Sequence, residues 1–251
     1  MNALPVLFAD THLVVVNKPP GLLVHRTQLD AHEQDAALQR VSQQLGRHVW
    51  PVHRLDKGTS GLLVFALNED AARTLCQAFE AAEVRKSYLA LVRGWPAPHI
   101  SCQHPLARDP ELPSAGQPML AASTHFETLG QLSWPFSVDG RHASSRYAVV
   151  RARPETGRRH QIRRHLKHLA HPIVGDATHG KGAHNRAVAA HLGLQRLWLH
   201  AHTLELPHPM GTGVLHLQCP PDAHWAPVLQ SCGLEASLKP GASATATMLP
   251  R

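Results

Sequence analysis

Residues 53–61 read HRLDKGTSG and lead straight into the apolar run LLVFAL (62–67). Asp56 is the residue in this stretch best suited to chemistry. A carboxylate with a reference pKa of about 3.9 is anionic at neutral pH, so it can attack an electrophile without a base to activate it. A nearby cation would keep it ionised and aim it. Arg54, two residues earlier, falls on the same side if the stretch is extended, and Arg163 in a later basic segment is a second candidate. Two other chemistries are excluded by spacing. A nucleophile elbow needs G-x-S-x-G, whereas Leu62 stands two residues after Ser60, and the G-x-x-x-x-G-K-[ST] loop that cradles phosphates is absent. The residues alone leave two readings of Asp56 open, a polar turn and a catalytic carboxylate.

The second constellation is basic. Between Arg151 and His168 stand Arg151, Arg153, Arg158, Arg159, Arg163, Arg164 and Lys167, with Glu155 as the one acid. Seven like charges in so short a run repel one another, which favours a polyanionic partner whose phosphates would make binding salt-dependent. In a helix over 158–171, Ile162, Leu166 and Leu169 or Ala170 would be buried, while Arg159, Arg163 and Lys167 would share an outer face. His160, His165, His168 and His171 sit in the same run, but there is no H-E-x-x-H and no acidic third ligand nearby. They read as partners of backbone or phosphate, and no metal site is expected.

Several elements must position these groups. HLVVVNKPPG (12–21) reads as a buried strand closed by a turn, and 31–46 as a helix with Leu38, Val41 and Leu45 at helical spacing and Gly46 as its stop. A better helix covers 68–84, with Asn68 as cap, Glu69 and Asp70 at its positive end and Leu75 and Phe79 as an apolar pair. RKSYLALVRG (85–94) alternates as a strand, with Tyr88, Ala90 and Val92 on one face and Leu89 and Leu91 on the other. Residues 95–141 show no sustained period and read as an irregular excursion able to close on a ligand. Further strands are expected at 145–152, 196–206 and 213–219. The fold class is α+β, with one domain over 1–232 and a tail at 233–251 that is Ala/Ser/Thr/Pro-rich and expected to be disordered.

Composition agrees with a nucleic-acid partner. The chain has 251 residues, a formal net charge of +7 and 21 histidines, a balance that suits an acidic partner. Cys76, Cys102, Cys219 and Cys232 are scattered without a C-x-x-C pair, so reduced thiols in a cytoplasmic protein are expected. The first residues lack the basic start of a secretion signal, and no stretch reaches the ~18 apolar residues of a membrane span.

Taken together, VHRLDKGTSGLLVFAL (52–67), VRKSYLALVRG (84–94) and ETGRRHQIRRHLKHLAHPIVGDATHG (155–180) resemble the three ordered motifs of the RluA-type pseudouridine synthases. NKPPGLLVH (17–25) and LWLHAHTLELPHP (197–209) are similar to further signatures of that family, so that the likeness spans roughly 5–225. The resemblance implies a single catalytic domain built on a long, mainly antiparallel mixed sheet with flanking helices and a central basic cleft, without the S4-like domain of many relatives. It implies isomerisation of uridine to pseudouridine in structured RNA. The stretch RRHLKHLAHPIVGDATHGKGAHNR followed by GLQRLWLHA is most similar to the branch acting on uridine 65 of tRNA. A dual ribosomal and transfer RNA enzyme and a non-catalytic RNA-binding protein are the alternatives. By resemblance, Asp56 is the essential catalyst, Tyr88 lies against the target base, Arg163 pairs with the Asp carboxylate and Arg54 fills the space left by the flipped uridine. Lys57, Arg158, Arg159 and Lys167 are expected to contact RNA, and Thr59, Ser60 and Gly61 to shape the loop. The resemblance also implies no cofactor and no metal; tRNA is the expected partner, no membrane association is expected, and a monomer is favoured.

Overall fold

The computed structural model describes residues 2–25, 35–211 and 213–250. In chain order its elements begin with β1 (Val6–Ala9), β2 (Leu13–Lys18), α1 (Ala37–Leu45), β3 (Trp50–Pro51), β4 (Ser60–Ala66) and α2 (Glu69–Glu80). Next come β5 (Arg85–Arg93), β6 (His99–Cys102), β7 (Leu106–Ala107), β8 (Met119–Leu120), β9 (Thr124–Trp134) and β10 (Ser145–Pro154). The remainder comprises α3 (Gln161–His168), α4 (Gly182–Leu192), β11 (Leu199–Pro207), β12 (Gly213–Gln218), α5 (Ala226–Gln230), α6 (Glu235–Leu238) and β13 (Thr245–Pro250). This is the α+β class expected, with mostly antiparallel pairing and helices flanking the strands. The chain groups into two compact units: Met1–Lys86 with His200–Pro220 and Ala242–Arg251, and Ser87–Leu199 with Pro221–Gly241.

In the first unit, β2 and β4 carry nearly continuous apolar runs and are buried on both faces, as central strands require. They pair antiparallel, β1 flanks β2, and β3 also pairs with β4. β4 meets β11 in parallel, with His200 opposite Ser60 and Ala201 opposite Gly61. Gly61 has φ +105°, and a Cβ there would stand 2.2 Å from the Ala201 carbonyl oxygen. Only glycine permits both that backbone and that approach. α2 begins as expected, the Asn68 side chain accepting from the Ala71 N–H at 2.8 Å. α1 ends at Gly46 as expected, while residues 31–34 of the expected helix lie outside the described residues. The segment expected to be disordered instead contributes α6 to the second unit and β13 to the first. β13 pairs antiparallel with β12, and its alternating Thr-Ala-Thr suits a strand that covers an otherwise open edge.

In the second unit the strand order is β5-β10-β9-β6, all antiparallel, with β7 and β8 as a separate pair. The alternation expected for β5 holds. Ala90 and Val92 pack with Ala148, Val150, Ile162 and Leu166 on one face, with Tyr88 against that cluster. Leu89 and Leu91 pack with Tyr147, Val149, Trp198 and Trp225 on the other.

The region 95–141 is more regular than expected. β9 spans eleven residues of it. Its period is hidden by a bulge: the register with β10 shifts between Val149 and Val150, where Gly130 and Thr128 are the partners and Leu129 is extra. One added residue reverses the facing of everything beyond it. Phe126 therefore joins one core cluster, while Leu132 and Trp134 join the other, although all three are at even positions. α4 has no counterpart in the sequence reading, because its apolar residues are mostly alanines and Val188 is its one buried side chain.

Replacing Gly61 with Ala is expected to destabilise the protein by at least about 2 kcal/mol through the positive φ and the clash with Ala201, measured as a lower urea midpoint.

Candidate active site

Asp56 lies on a loop fixed from beneath. Lys18 closes β2 and is fully buried. Its ammonium donates to the carbonyl oxygens of Pro19 at 2.9 Å, Leu22 at 2.7 Å and Lys57 at 3.1 Å. A buried ammonium is costly unless its donors are used, and here all three have acceptors. The Lys57 carbonyl also accepts the Gly21 N–H at 2.9 Å, and the Asp56 carbonyl accepts the Thr59 N–H at 3.0 Å. The N-K-P-P-G turn and the D-K-G-T turn therefore lock onto one another. Leu55 is buried, Asp56 half-buried, and Arg54 and Lys57 exposed, so the loop presents charge outward while its apolar residue anchors it.

The residues flanking this loop are held by internal contacts. Thr59 and Ser60 are buried. His200 donates from Nε2 to the Cys219 carbonyl at 2.9 Å, so its Nδ1 accepts the Ser60 hydroxyl at 3.0 Å. His53 accepts the Val64 N–H on Nε2 at 3.0 Å and stacks on Phe79 with ring centroids 4.6 Å apart. Burial, aided by the charge of Lys86, depresses its pKa to about 3.

The other predicted residues belong to the second unit. Tyr88 is half-buried in β5, opposite Ala152 of β10, and lies on the sheet face that carries α3. Arg163 in α3 is buried at 8% exposure and forms a two-pronged ion pair with Asp176, itself 2% exposed. Nε stands 2.7 Å from Oδ2 and Nη2 2.9 Å from Oδ1. Oδ1 also accepts the N–H groups of Thr178 and His179, both at 2.9 Å. Burial alone would raise the Asp176 pKa, but the bonds and charge of Arg163 and the His179 N–H outweigh it and hold the carboxyl below its usual value. The loop is shaped by Gly175, where a Cβ would meet the Arg196 carbonyl oxygen at 1.6 Å. Asn185 further ties the Gly175 N–H to the Asp176 carbonyl.

The helix around Arg163 is shorter than expected, running over 161–168 rather than 158–171. His160 adopts a left-handed backbone (φ +54°) and Ala170 another (φ +63°), which stops the helix at both ends. Gln161 pins its start. The side chain accepts from the Thr156 hydroxyl at 2.7 Å and the Arg158 N–H at 2.9 Å, and it donates to the Ser123 carbonyl and the Thr124 hydroxyl, both at 2.9 Å. Arg159 thus lies before the helix and does not share a helical face with Arg163 and Lys167.

The basic run is also less bare than its local sequence suggests. Arg151 and Arg153 both pair with Glu127. Arg159 pairs with Asp109 at 3.2 Å and with Glu111. Arg164 donates to the Ala107 carbonyl, and Arg158 to that of Ala121. Lys167 is exposed. The histidines are used internally: His165 bonds the Thr124 hydroxyl and the His104 carbonyl, His168 stacks on His104, His171 bonds the Arg93 carbonyl, and His160 meets His179 at 3.2 Å. Among the described residues no group of three or more His, Cys, Asp or Glu could hold a metal ion. Nor is any helix among them long and apolar enough to cross a membrane.

Lys18, Gln161 and Asp176 were not singled out by sequence reasoning. The available signals were a lysine ending an apolar strand before Pro-Pro-Gly, and an aspartate after a glycine in GDATHG.

The order and setting of these groups agree with one family. Residues 12–168 match the model of the RNA pseudouridylate synthase family. The chain belongs to that family. It is accordingly an RNA pseudouridine synthase, an isomerase. Similar curated proteins include "tRNA pseudouridine synthase C" of Yersinia pestis, 41% identical over 238 residues that cover 92% of this chain and 91% of that protein. The protein of the same name from Vibrio cholerae is 40% identical, covering 94% and 98%. The one from Pectobacterium carotovorum is 41% identical over 94% of this chain, which spans 64% of that longer protein. Among solved structures, the human RNA pseudouridylate synthase domain containing 4 is 27% identical with a TM-score of 0.67, covering 90% and 92% of the two chains. The human RNA pseudouridylate synthase domain containing 1 shares the fold at a TM-score of 0.69 and 24% identity, covering 99% and 90%.

The neutral, half-buried His53 has a pH consequence. An unfolded histidine takes a proton near pH 6.5, whereas the folded one resists to about 3. Its contribution to stability is complete above about pH 6.5 and is lost as pH falls from there toward 3. His53→Gln is expected to flatten the drop in urea midpoint between pH 7 and pH 4; an unchanged drop would assign the acid sensitivity elsewhere.

Proposed function

We propose that this enzyme converts uridine 65 of tRNA to pseudouridine, with Asp56 as the catalytic carboxylate. The observation that carries the reading is the loop of Asp56: a half-buried carboxylate between exposed cations, on backbone held by the buried Lys18 ammonium. A reacting group gains from such fixation because the orientation is established before substrate arrives. The tRNA substrate is supported by the names of the bacterial relatives, which match over nearly the whole chain.

In the proposed reaction the N1–C1′ bond of uridine breaks, the base turns, and a C5–C1′ bond forms. The C5 proton is lost and N1 gains one, so no atom is added or removed. Asp56 acts on the nucleotide as nucleophile or base. Tyr88, with its ring on the α3 face of β5, lies against the base and assists C5 deprotonation. Arg163 supplies the cation that aims the reacting carboxylate. The target must leave its stack, at a cost of a few kcal/mol. Arg54, exposed beside Asp56, occupies the gap. Lys57, Arg158 and Lys167 offset the cost through phosphate contacts, while recognition leans on backbone, shape and the 2′-OH, because base edges in A-form RNA are hard to reach. The enzyme is proposed to work in the cytoplasm, without cofactor or metal.

Asp56→Ala is expected to lower pseudouridine formation by about a thousandfold or more while leaving tRNA affinity near wild type. Turnover retained in that variant would overturn the assignment.

The ion pairs grade the cations. Lys167→Gln is expected to lower the slope of log affinity against log salt by about 0.7–0.9, as one phosphate contact would. Arg159→Gln should change it by about half as much or less, because Asp109 and Glu111 already neutralise Arg159. Filter binding across a salt series separates the two.

A further inference from the structure

We propose that Asp176 is a positioning residue for this reaction: its carboxylate fixes the plane and rotamer of the Arg163 guanidinium, and so the direction in which that cation acts. The inference rests on the role given above to Arg163 and extends it to a residue with no assigned part.

The geometry supports more than charge balance. An arginine side chain has several rotatable bonds, and a single-point ion pair leaves the guanidinium plane free to swing. Here both the Nε–H and the Nη2–H edge are engaged by separate oxygens of one carboxylate, at 2.7 and 2.9 Å. That fork fixes the plane as well as the distance. The carboxylate is itself immobile. Its Oδ1 takes two backbone N–H groups, from Thr178 and His179, and the loop beneath is held by Gly175 and by Asn185. Gly180 closes the turn, since a Cβ there would stand 2.2 Å from the Asp176 carbonyl oxygen.

The charges facing the pair are consistent with a permanently ionised carboxylate. The His179 ring meets His160 at 3.2 Å; the charge of Asp176 raises its pKa, but burial outweighs this and depresses it to about 4. Lys167 is exposed on the same helix. Asp176 is therefore not shared with a titrating histidine at neutral pH, and its charge serves Arg163 and the two backbone donors.

A loop-shaping role alone would require only the Oδ1 bonds. Asp176→Asn separates the two possibilities. The amide oxygen can still accept from Thr178 and His179, while the amide nitrogen, a donor, faces the Arg163 Nε–H and breaks the fork. We expect kcat for tRNA to fall by about ten- to a hundredfold with KM within about twofold, since a misplacement of about 1 Å is worth about a hundredfold in rate. In the free protein, the Arg163 Nε–H signal should be slow to exchange with solvent in NMR spectra and become fast in the Asn variant. Unchanged kcat, or exchange equally fast with Asp or Asn, would overturn the proposal. If the Asn variant fails to fold, Arg163→Gln/Asp176→Asn removes the buried cation together with its partner. Recovery of the melting temperature in the pair would support coupling, and no recovery would assign Asp176 to the loop alone and overturn the proposal. The exchange measurement needs no substrate, so failure of the wild-type protein to modify tRNA would count against the proposed function and not against this inference.

Discussion

The ammonium of Lys18 organises the Asp56 loop of the first unit. It sits at the end of a largely apolar strand, where an unpaired charge would cost several kcal/mol. Only a specific arrangement of carbonyls satisfies it, and that arrangement requires the Pro19–Leu22 turn and the Lys57 carbonyl to converge. The conformation of the Asp56 loop is thus set by the need to satisfy a buried cation. Gly61 completes the constraint a few residues later, because β4 can approach β11 only where no Cβ intervenes.

The second unit repeats the device with the signs exchanged. There a buried carboxylate, Asp176, is satisfied by Arg163 and two backbone donors. In both places one buried charge is fully hydrogen-bonded, by backbone alone for Lys18 and by backbone and Arg163 for Asp176, and bears on a residue with a proposed role in the reaction. Such networks act as rigid references, because losing any single partner leaves a buried group unsatisfied.

How much of this was legible in the sequence depends on how local each cause is. The Asn68 cap, the Gly46 stop and the alternation of β5 are set by neighbours within a few residues, and they stand as read. β9 was hidden because one extra residue, Leu129, reverses its period midway. The start of α3 was misplaced because His160 takes a left-handed backbone that its residue type does not announce. The excess of charge in 151–167 was overstated, since the acids that answer it, Glu127, Asp109, Glu111 and Asp176, are brought in by strand pairing and loop placement. Lys18 and Asp176 looked like ordinary charged residues for a related reason. Their meaning lies in burial, and their partners are largely carbonyl and amide groups that carry no sequence signal. The motif order around Asp56, Tyr88 and Arg163 was legible as a resemblance, and the family assignment agrees with it.

The central claim is that this chain makes pseudouridine at one position of tRNA. Site-by-site mapping of pseudouridine in cellular RNA, with and without the gene, tests it most directly. The account predicts that pseudouridine at position 65 of a set of tRNAs disappears without the gene and returns when the wild-type gene is restored. Loss confined to ribosomal RNA, or an unchanged tRNA map, would contradict it.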